Sequence, residues 1–361
     1  MPSRTPKKVC LVAISLARGG AERSTALLSQ LLEQRGFDVH LVILNDKVDY
    51  EFSGKLLNLG KLKKHKDRLP HRFLRFQKLR QFLIREKFDW IIDNRTRPVA
   101  MKEWYYLNYI YRGFHVIYIV RSGNLDEYLP KHSRVSKQII KRVERMVGVS
   151  KHIASEINTT YNTDKAVTIY NPVESLPTLE KTAKTEPYIL FVGRLVEAVK
   201  NFSLLFEAYQ KSELPHKNIR LKVVGSGPDL EQLRAKVLDL NLSENIAFIP
   251  FTSQIYPFYQ QALFTVLSSR YEGFPRVLIE SLSVGTPVVS VDCVSGPGEI
   301  IKNEQNGLLV PNHDVAALAT AMNRLVEDKK LYEICKSNSQ SSVAHLSVTA
   351  IADQWDKLLK T

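Results

Sequence analysis

An α/β fold with two doubly wound, parallel-sheet domains is predicted for this chain by three observations. Short apolar runs typical of buried strands alternate with amphipathic helical segments, which is the pattern of βαβ units. The alternation occurs in two series, separated at residues 173–187 by a linker rich in Pro, Thr, Lys and Glu. The length of 361 residues is sufficient for two domains of ordinary size.

The first series opens with a strand at residues 9–15, a turn that contains Gly19 and Gly20, and a helix over residues 21–35. A second strand at residues 39–44 completes the βαβ unit. The dinucleotide fingerprint GxGxxG does not follow the first strand, which disfavours a dinucleotide oxidoreductase.

Positive charge is concentrated in the first half of the chain. Residues 1–170 hold 32 Lys and Arg against 16 Asp and Glu, a net charge of +16, whereas the whole chain carries +14. The densest stretch runs from Lys61 to Arg85 and has one acid, Asp67; Phe73, Phe76, Leu79 and Leu83 share one face of its helix. This composition predicts an anionic membrane surface as a partner. Nucleic acid is not expected, because no nucleic-acid motif accompanies the basic run.

Later strands of the first series are predicted at residues 89–93 and 116–120. The aromatic-rich segment between them is expected to lie in the core; its members are Trp104, Tyr105, Tyr106, Tyr109 and Tyr111. Arg121 and Ser122 follow the strand at 116–120. In open α/β sheets ligands collect at such carboxyl ends, so these two residues are candidates for a ligand site.

The second series begins with a strand at residues 188–192, followed by Gly193, Arg194 and, six residues later, Lys200. A planar guanidinium and a movable ammonium after a glycine turn form a plausible clamp for a pyrophosphate. Further loops that follow strands contain Gly225 and Gly227, whose missing side chains allow a ligand to approach.

The most informative stretch is residues 272–289, EGFPRVLIESLSVGTPVV. Pro275 suits the first position of a short helix, which Gly285 ends. Glu272 precedes this helix, and Glu280 is expected near its start. The unpaired N–H groups at the start of a helix suit a phosphate.

The ordered motifs of residues 188–310 resemble the retaining glycosyltransferases of family 4. The resemblance rests on the clamp cations, the two glutamates separated by seven residues, and the GTPVV run after the helix. It implies the GT-B architecture of two Rossmann-like doubly wound domains that face each other across a cleft. The expected ranges are an acceptor-side domain at 1–172, the linker at 173–187, a nucleotide-sugar-binding domain at 188–345, and a helix at 346–361 that crosses back to the first domain.

The same resemblance implies the roles of individual residues. Arg194 and Lys200 would neutralise the donor diphosphate, Glu272 would orient the donor sugar, and Glu280 would hold the ribose hydroxyls; the first three are the expected catalytic residues. The full donor-binding set implied is Gly19, Gly20, Gly193, Arg194, Lys200, Gly225, Gly227, Pro250, Phe251, Glu272, Gly273, Phe274, Pro275 and Glu280. Family members often carry a histidine near the donor sugar where this chain has Arg121, so the resemblance implies that Arg121 and Ser122 lie on the acceptor or sugar side of the site.

The implied reaction is transfer of galactose, glucose or an N-acetylhexosamine from a nucleotide-diphosphate sugar, expected to be a UDP-sugar, to a hydroxyl of a glycan or lipid-linked acceptor in cell-surface polysaccharide or glycolipid synthesis. No Asp-x-Asp motif is evident, so no essential metal or other cofactor is expected. A GDP-mannose-dependent mannosyltransferase and a nucleotide-sugar epimerase of the same fold are the alternatives. A non-enzymatic basic adaptor would explain the first half of the chain but not the ordered motifs of the second.

The compartment is predicted from the cysteines and from apolar runs. Cys10, Cys293 and Cys335 are few, odd in number and widely spaced, which fits a reducing compartment. No apolar run approaches the ~18 residues that a spanning helix needs. A cytoplasmic protein, peripheral on the inner face of the plasma membrane, is therefore expected.

Overall fold

A computed structural model of the chain describes residues 6–17, 19–63, 69–131, 133–174 and 186–360, without the side chains of 69–72 and 133. The chain divides into two compact units. The first unit comprises Met1–Asn171 and Thr349–Thr361, and the second comprises Pro172–Val348. Most of the predicted linker lies outside the described residues, as do residues 64–68 of the basic stretch. No helix in the described part is both long and apolar enough to cross a bilayer.

The first unit contains a seven-stranded, fully parallel sheet with the strand order β3-β2-β1-β4-β5-β6-β7. The order reverses between β1 and β4, and this reversal is the switch point of a doubly wound sheet. The strands are β1 Lys8–Ala13, β2 Asp38–Ile43, β3 Lys55–Asn58, β4 Trp90–Asp93, β5 Val116–Val120, β6 Arg145–Gly148 and β7 Ala166–Thr168.

Helices connect these strands as the sequence predicts. They are α1 Gly20–Gln34, α2 Leu69–Glu86, α3 Ala100–Tyr105, α4 Ser133–Arg142 and α5 Lys151–Tyr161, and a π-helical turn, Tyr106–Ile110, continues α3. The leucines of α1 are buried, which is why this amphipathic helix packs on the sheet. Gly36 follows the helix with φ +82°, a backbone conformation that ends helices and favours glycine.

Three expectations for the first unit need correction. The edge strand β3 was not predicted, because its four residues are too short to give a periodic signal. On α2, Leu79 and Leu83 are buried, but Phe73 is 48% exposed, so the apolar stripe is only partly core. The aromatic segment is also divided: Tyr106 and Tyr111 are buried, whereas Trp104 and Tyr109 are 51% and 41% exposed.

A charged cluster lies in the core of the first unit. Arg95 and Arg97 follow β4, and both are fully buried. Arg95 donates hydrogen bonds to both oxygens of Asp93, at 2.7–3.1 Å, and to both oxygens of Glu103, at 3.1 and 3.3 Å. Arg97 donates to the carbonyls of Asp93, Arg95, Ile119 and Tyr128. Two cations and two anions balance, so this core holds charge without a net excess.

The second unit contains six parallel strands in the order β10-β9-β8-β11-β12-β13. Its order reverses between β8 and β11, which gives this sheet a switch point of its own. The strands are β8 Tyr188–Val192, β9 Arg220–Val224, β10 Ile246–Ile249, β11 Thr265–Leu267, β12 Val288–Asp292 and β13 Gly307–Pro311. Its helices are α6 Glu197–Lys200, α7 Phe202–Lys211, α8 Leu230–Asp239, α9 Tyr256–Gln261, α10 Arg276–Ser283, α11 Pro297–Ile300, α12 Val315–Glu327 and α13 Lys329–Ser342.

The last helix, α14 Val348–Lys360, belongs almost entirely to the first unit. Its Leu359 carbonyl accepts hydrogen bonds from Lys7 Nζ at 2.7 Å and from Trp90 Nε1 at 2.9 Å. Trp355 is 4% exposed, so this helix contributes to the core of the first unit. The chain thus returns to its first unit at the end, as the resemblance implied.

Candidate functional site

The switch point of the second sheet brings together two loops that carry charged residues. Gly193 and Arg194 follow β8, and the segment from Ser268 to Glu272 follows β11, its neighbour in the sheet. Because parallel strands end at the same edge of a sheet, the two loops lie side by side. The sequence places these residues about 75 positions apart, and the sheet order makes them neighbours.

Lys200 and Glu272 form the central contact of this site. Lys200 Nζ lies 2.5 Å from Glu272 Oε1, and the two side chains are 15% and 13% exposed. Lys200 ends the short helix α6, and Glu272 begins the segment before α10. An ion pair that is mostly withdrawn from water is screened little by salt, and each partner holds the other's geometry.

Two serines that sequence reasoning missed support this ion pair. Ser269 Oγ donates a 2.7 Å hydrogen bond to Glu272 Oε1, the oxygen that Lys200 also contacts. Ser268 Oγ donates a 2.8 Å hydrogen bond to the Lys200 carbonyl. Both serines are fully buried directly after β11. Buried hydroxyls at the carboxyl end of a strand were the available signal.

Arg194 differs from Lys200 because its side chain is exposed. Among the residues described, none pairs with its guanidinium. Its backbone is fixed, since the N–H of Leu195 donates to the Ser226 carbonyl at 3.0 Å. The site therefore contains Lys200, which is already paired with Glu272, and Arg194, whose guanidinium is available to an anionic ligand.

Gly225 and Gly227 lie where the packing of neighbouring backbone leaves no room for a side chain. A Cβ on Gly225, where φ is +157°, would lie 1.9 Å from the Gly193 carbonyl oxygen, and one on Gly227 would lie 2.1 Å from that of Leu195. The loops after β8 and β9 thus touch backbone to backbone. Pro250 and Phe251, which follow β10, lie at the same edge, and Phe251 is 39% exposed.

The helix α10 departs from the expected placement in two respects. It begins at Arg276, so Pro275 is the residue before it and not its first residue. Glu280 is the fifth of its eight residues and therefore lies in the middle of the helix, not near its start. Gly273 is held by a 2.7 Å hydrogen bond from Ser295 Oγ to its carbonyl, and Phe274 is buried.

Glu280 is a buried and engaged carboxylate. It is 4% exposed. Arg276, one turn earlier on α10, contacts Glu280 Oε1 at 3.0–3.2 Å, and Tyr259 OH donates to Oε2 at 3.1 Å. Each carboxylate oxygen has two acceptor positions, so further hydrogen bonds from ligand hydroxyls are compatible with these contacts. Neither Tyr259 nor Arg276 was predicted as a site residue. Tyr259 lies outside the recognised motifs, and Arg276 was interpreted as an ordinary helix residue.

The residues predicted in the first unit lie at the carboxyl end of its sheet. Gly19 precedes α1 and Gly20 begins it, and the Gly19 carbonyl accepts the first helical hydrogen bond from Arg23. Arg121 and Ser122 follow β5, and Ser122 is buried.

A small polar network connects Arg121 to the start of α1. Arg121 Nε donates to Asn94 Oδ1 at 2.5 Å, and its Nη1 donates to Asn171 Oδ1 at 2.6 Å. Asn94 Nδ2 in turn donates to the Ala21 carbonyl in the first turn of α1 at 3.2 Å. The structure therefore brings Arg121 close to the turn with Gly19 and Gly20, and holds its guanidinium in one position.

Cys293 is a buried thiol close to Glu272 and Lys200. Cys293 is 4% exposed. Burial, reinforced by the charge of Glu272, raises the pKa of the Cys293 thiol to about 12, which keeps it protonated at neutral pH. Within the described residues, no group of three or more His, Cys, Asp or Glu side chains is arranged to hold a metal ion.

Replacing Ser269 by alanine is expected to lower turnover by about ten- to a hundredfold, since a hydrogen bond to a charged group contributes about 1.5–3 kcal/mol. Steady-state kinetics would show the loss mainly in kcat if the hydroxyl orients Glu272. Ser290→Ala is the matched control, because Ser290 is equally buried and its hydroxyl bonds only the Val291 carbonyl. Equal turnover in both variants would contradict the positioning role of Ser269.

Comparison with known proteins identifies the class. The family described as glycosyl transferases group 1 matches residues 176–342, and the family described as Glycosyltransferase Family 4 matches residues 18–175. The chain belongs to the family 4 glycosyltransferases and has the GT-B fold with two Rossmann-like domains; it is a transferase.

Three similar proteins illustrate this membership. The N-acetylgalactosamine-N,N'-diacetylbacillosaminyl-diphospho-undecaprenol 4-alpha-N-acetylgalactosaminyltransferase of Campylobacter jejuni is 26% identical, over 96% of this chain and 97% of its own length. The lipopolysaccharide 1,6-galactosyltransferase of Escherichia coli is 32% identical, over 56% of this chain and 52% of its own. The solved structure of Anabaena Alr3699/HepE in complex with UDP and glucose has a TM-score of 0.78 at 16% identity, covering 98% of this chain and 99% of the other.

Proposed function

We propose that this enzyme transfers a hexose or N-acetylhexosamine from a UDP-sugar, with retention at the anomeric carbon, to a hydroxyl of a glycan or lipid-linked acceptor in cell-surface polysaccharide or glycolipid synthesis. One observation carries the proposal. At the switch point of the second sheet, Lys200 is paired with Glu272, and the exposed Arg194 lies on the loop after β8, next to the loop after β11 that carries Glu272.

Arg194 and Lys200 form the diphosphate clamp of the proposed reaction. Negative charge grows on the departing diphosphate, and positive groups already in place stabilise it without reorganisation. The guanidinium of Arg194 suits two phosphate oxygens at once, and Lys200 supplies a compact charge. The helix dipole of α10 adds partial positive charge at the start of that helix.

The two glutamates hold the sugars on either side of the diphosphate. Glu272 accepts hydrogen bonds from the donor sugar and orients it, while Lys200 and Ser269 fix the carboxylate. Glu280, which Arg276 and Tyr259 hold in place, accepts hydrogen bonds from the ribose hydroxyls.

Transfer proceeds on one face of the donor sugar. The bond between the anomeric carbon and the phosphate oxygen breaks, the acceptor oxygen bonds to the same face of that carbon, and the acceptor proton passes to the leaving phosphate. Neither Glu272 nor another carboxylate serves as a covalent nucleophile. Glu272 is already committed to Lys200 and Ser269, which suits a positioning role.

The choice of donor and acceptor is supported by the relatives. The Anabaena structure, which shares the fold, contains UDP and glucose. The name of the C. jejuni relative describes a diphospho-undecaprenol acceptor and an alpha linkage, which is what retention gives from an alpha-linked donor. The E. coli relative is a lipopolysaccharide galactosyltransferase.

The enzyme works at the cytoplasmic face of the plasma membrane as a peripheral protein. A lipid-linked acceptor requires access to a membrane, and the excess charge of +16 in residues 1–170 attracts anionic lipid. The stretch from Lys61 to Arg85 is the densest source of that charge. Nucleic acid is not a partner.

Catalysis needs no divalent metal, since Arg194, Lys200 and the start of α10 together neutralise the diphosphate. Turnover that persists unchanged in excess EDTA supports this statement, and activity restored only by added Mg²⁺ or Mn²⁺ refutes it.

A thermal-shift screen against UDP, GDP, UDP-sugars and GDP-mannose tests the donor. UDP is expected to stabilise the second unit, because a ligand at a hundred times its dissociation constant adds about 2.7 kcal/mol to folding. Stabilisation by GDP and GDP-mannose alone would instead indicate a mannosyltransferase. No response to any nucleoside diphosphate would overturn the proposed function.

A further inference from the structure

An exposed aromatic patch lies on the first unit, outside the site described above. Its members project from α2, α3 and the π-helical turn that follows α3, and none of them takes part in the proposed transfer. The patch comprises Phe73, Val99, Met101, Trp104, Tyr105 and Tyr109. Val99, Met101 and Trp104 are 56%, 81% and 51% exposed.

The aromatic rings at the centre of the patch contact one another and rest on a buried base. Tyr105 and Tyr109 stack with ring centroids 5.1 Å apart, and the Phe73 ring lies 6.4 Å from that of Tyr105. Below them, the ring centroid of Phe76 lies 5.6 Å from that of Tyr105 and 5.4 Å from that of the buried Tyr106. Single exposed apolar side chains are ordinary, but a supported cluster of large ones marks an interaction surface.

Positive charge borders the patch at α3 and α4. The one acid of α3, Glu103, is fully buried against Arg95 and offers nothing to the surface. Lys102 Nζ lies 5.9 Å from the Tyr106 ring centroid. Arg142, the exposed last residue of α4, donates a 2.7 Å hydrogen bond to Asn108, whose amide donates to the Trp104 carbonyl at 2.7 Å.

Tryptophan and tyrosine side chains with a neighbouring cation are typical of the interface between lipid and water. Their rings bury apolar area among the acyl chains, while Lys and Arg remain with anionic headgroups. We propose that the aromatic patch inserts into the headgroup region of an anionic membrane. The proposal rests on the membrane location proposed above and specifies its contact. Of the α2 stripe only Phe73 belongs to this contact, because Leu79 and Leu83 are buried.

Co-sedimentation of the full chain with vesicles tests the insertion. The protein is expected to bind phosphatidylcholine vesicles that contain phosphatidylglycerol, and to release as salt rises. The double variant Met101→Ser/Trp104→Ala is expected to lower the partition coefficient by about tenfold or more, because it removes buried apolar area. Leu238→Ala, which truncates a 66% exposed leucine of α8 in the second unit, is the control and should bind as the wild type does.

Tryptophan fluorescence gives a second measurement of membrane insertion, and this measurement does not depend on enzymatic activity. The chain has three tryptophans, and Trp355 is buried while Trp90 is held by Leu359. A blue shift on addition of anionic vesicles should therefore arise from Trp104. Trp104→Phe should keep binding and lose the shift.

The outcomes separate this proposal from the proposed transferase function. Unchanged partition of the double variant, equal binding to neutral vesicles, or a shift that persists in Trp104→Phe would overturn the insertion. So would self-association in the absence of vesicles that the double variant abolishes, since the patch would then be an interface between copies. The double variant should still be stabilised by UDP in the thermal-shift assay, because it leaves the donor site unchanged. A wild-type protein that UDP does not stabilise would contradict the transferase function and would not bear on the insertion.

Discussion

Lys200→Ala is expected to lower kcat/KM by about a hundred- to a thousandfold, the usual cost of losing one preorganised charge at a transition state. The variant loses a positive group beside the diphosphate. It also leaves the Glu272 carboxylate, 13% exposed, with the hydrogen bond from Ser269 but without the counter-charge of Lys200, and the uncompensated charge then repels the phosphate. Steady-state kinetics and calorimetric binding of free UDP would both show the loss.

Lys217→Ala is the matched control for this prediction. Lys217 also pairs with a glutamate, Glu327, but both side chains are 40–50% exposed at the surface of the second unit. An exposed pair contributes little, so this variant should keep full activity. A Lys200→Ala enzyme within about twofold of the wild type would remove Lys200 from the reaction, since a single charge at a transition state is expected to contribute far more.

Asp93→Asn is expected to lower the free energy of unfolding of the first unit by about 3–5 kcal/mol, because it leaves the buried guanidinium groups of Arg95 and Arg97 without their main counter-charge. The carboxylate also accepts a 2.9 Å hydrogen bond from the buried Tyr111 hydroxyl. Native-state hydrogen exchange of the amides in β4 and β5 measures this unit separately from the second one.

Asp314→Asn provides the comparison for Asp93. Asp314 caps α12 by accepting from the Ala317 N–H at 2.8 Å, and asparagine caps a helix equally well. Little change is expected there. If Asp93→Asn lowered the free energy of unfolding by no more than Asp314→Asn does, a central role for the buried cluster would be contradicted.

The same cluster predicts a dependence on pH. Burial acts to raise the pKa of Asp93, but the charges of Arg95 and Arg97 and hydrogen bonds from Arg95 outweigh it, so the pKa is lowered. A carboxyl group with a lowered folded pKa stabilises fully above its unfolded pKa of about 3.9, and the contribution is lost as the pH falls through the folded value. Acid should therefore destabilise the wild-type first unit more steeply than that of Asp93→Asn.

Much of the fold could be predicted from the sequence, because strands such as β5 and β8 are uninterrupted apolar runs and the leucines of α1 recur at helical spacing. Periodicity does not give burial on its own. It could not show that Trp104 and Tyr109 lie outside while Tyr106 lies inside, because the π-helical turn rotates the face that the chain presents after α3.

The sequence predicted the site residues that belong to a motif. It did not predict those that only the fold brings into the site. Lys200 and Glu272 are 72 residues apart in sequence, and the resemblance, not their spacing, indicated a shared site. Ser269, Tyr259 and Arg276 act by contacts that arise from sheet order and helix packing. The buried charges of Arg95 and Arg97 were also missed, since charged residues are mostly exposed and no local signal separates the exceptions.

Calorimetry of UDP and UMP tests the diphosphate clamp most directly, since the two ligands differ by one phosphate. Wild-type enzyme is expected to prefer UDP by about tenfold or more, as charge-assisted hydrogen bonds to that phosphate require. The Arg194→Ala/Lys200→Ala variant should bind both ligands with similar, weak affinity. A variant that keeps the full preference for UDP would contradict the assignment of these two cations to the donor diphosphate.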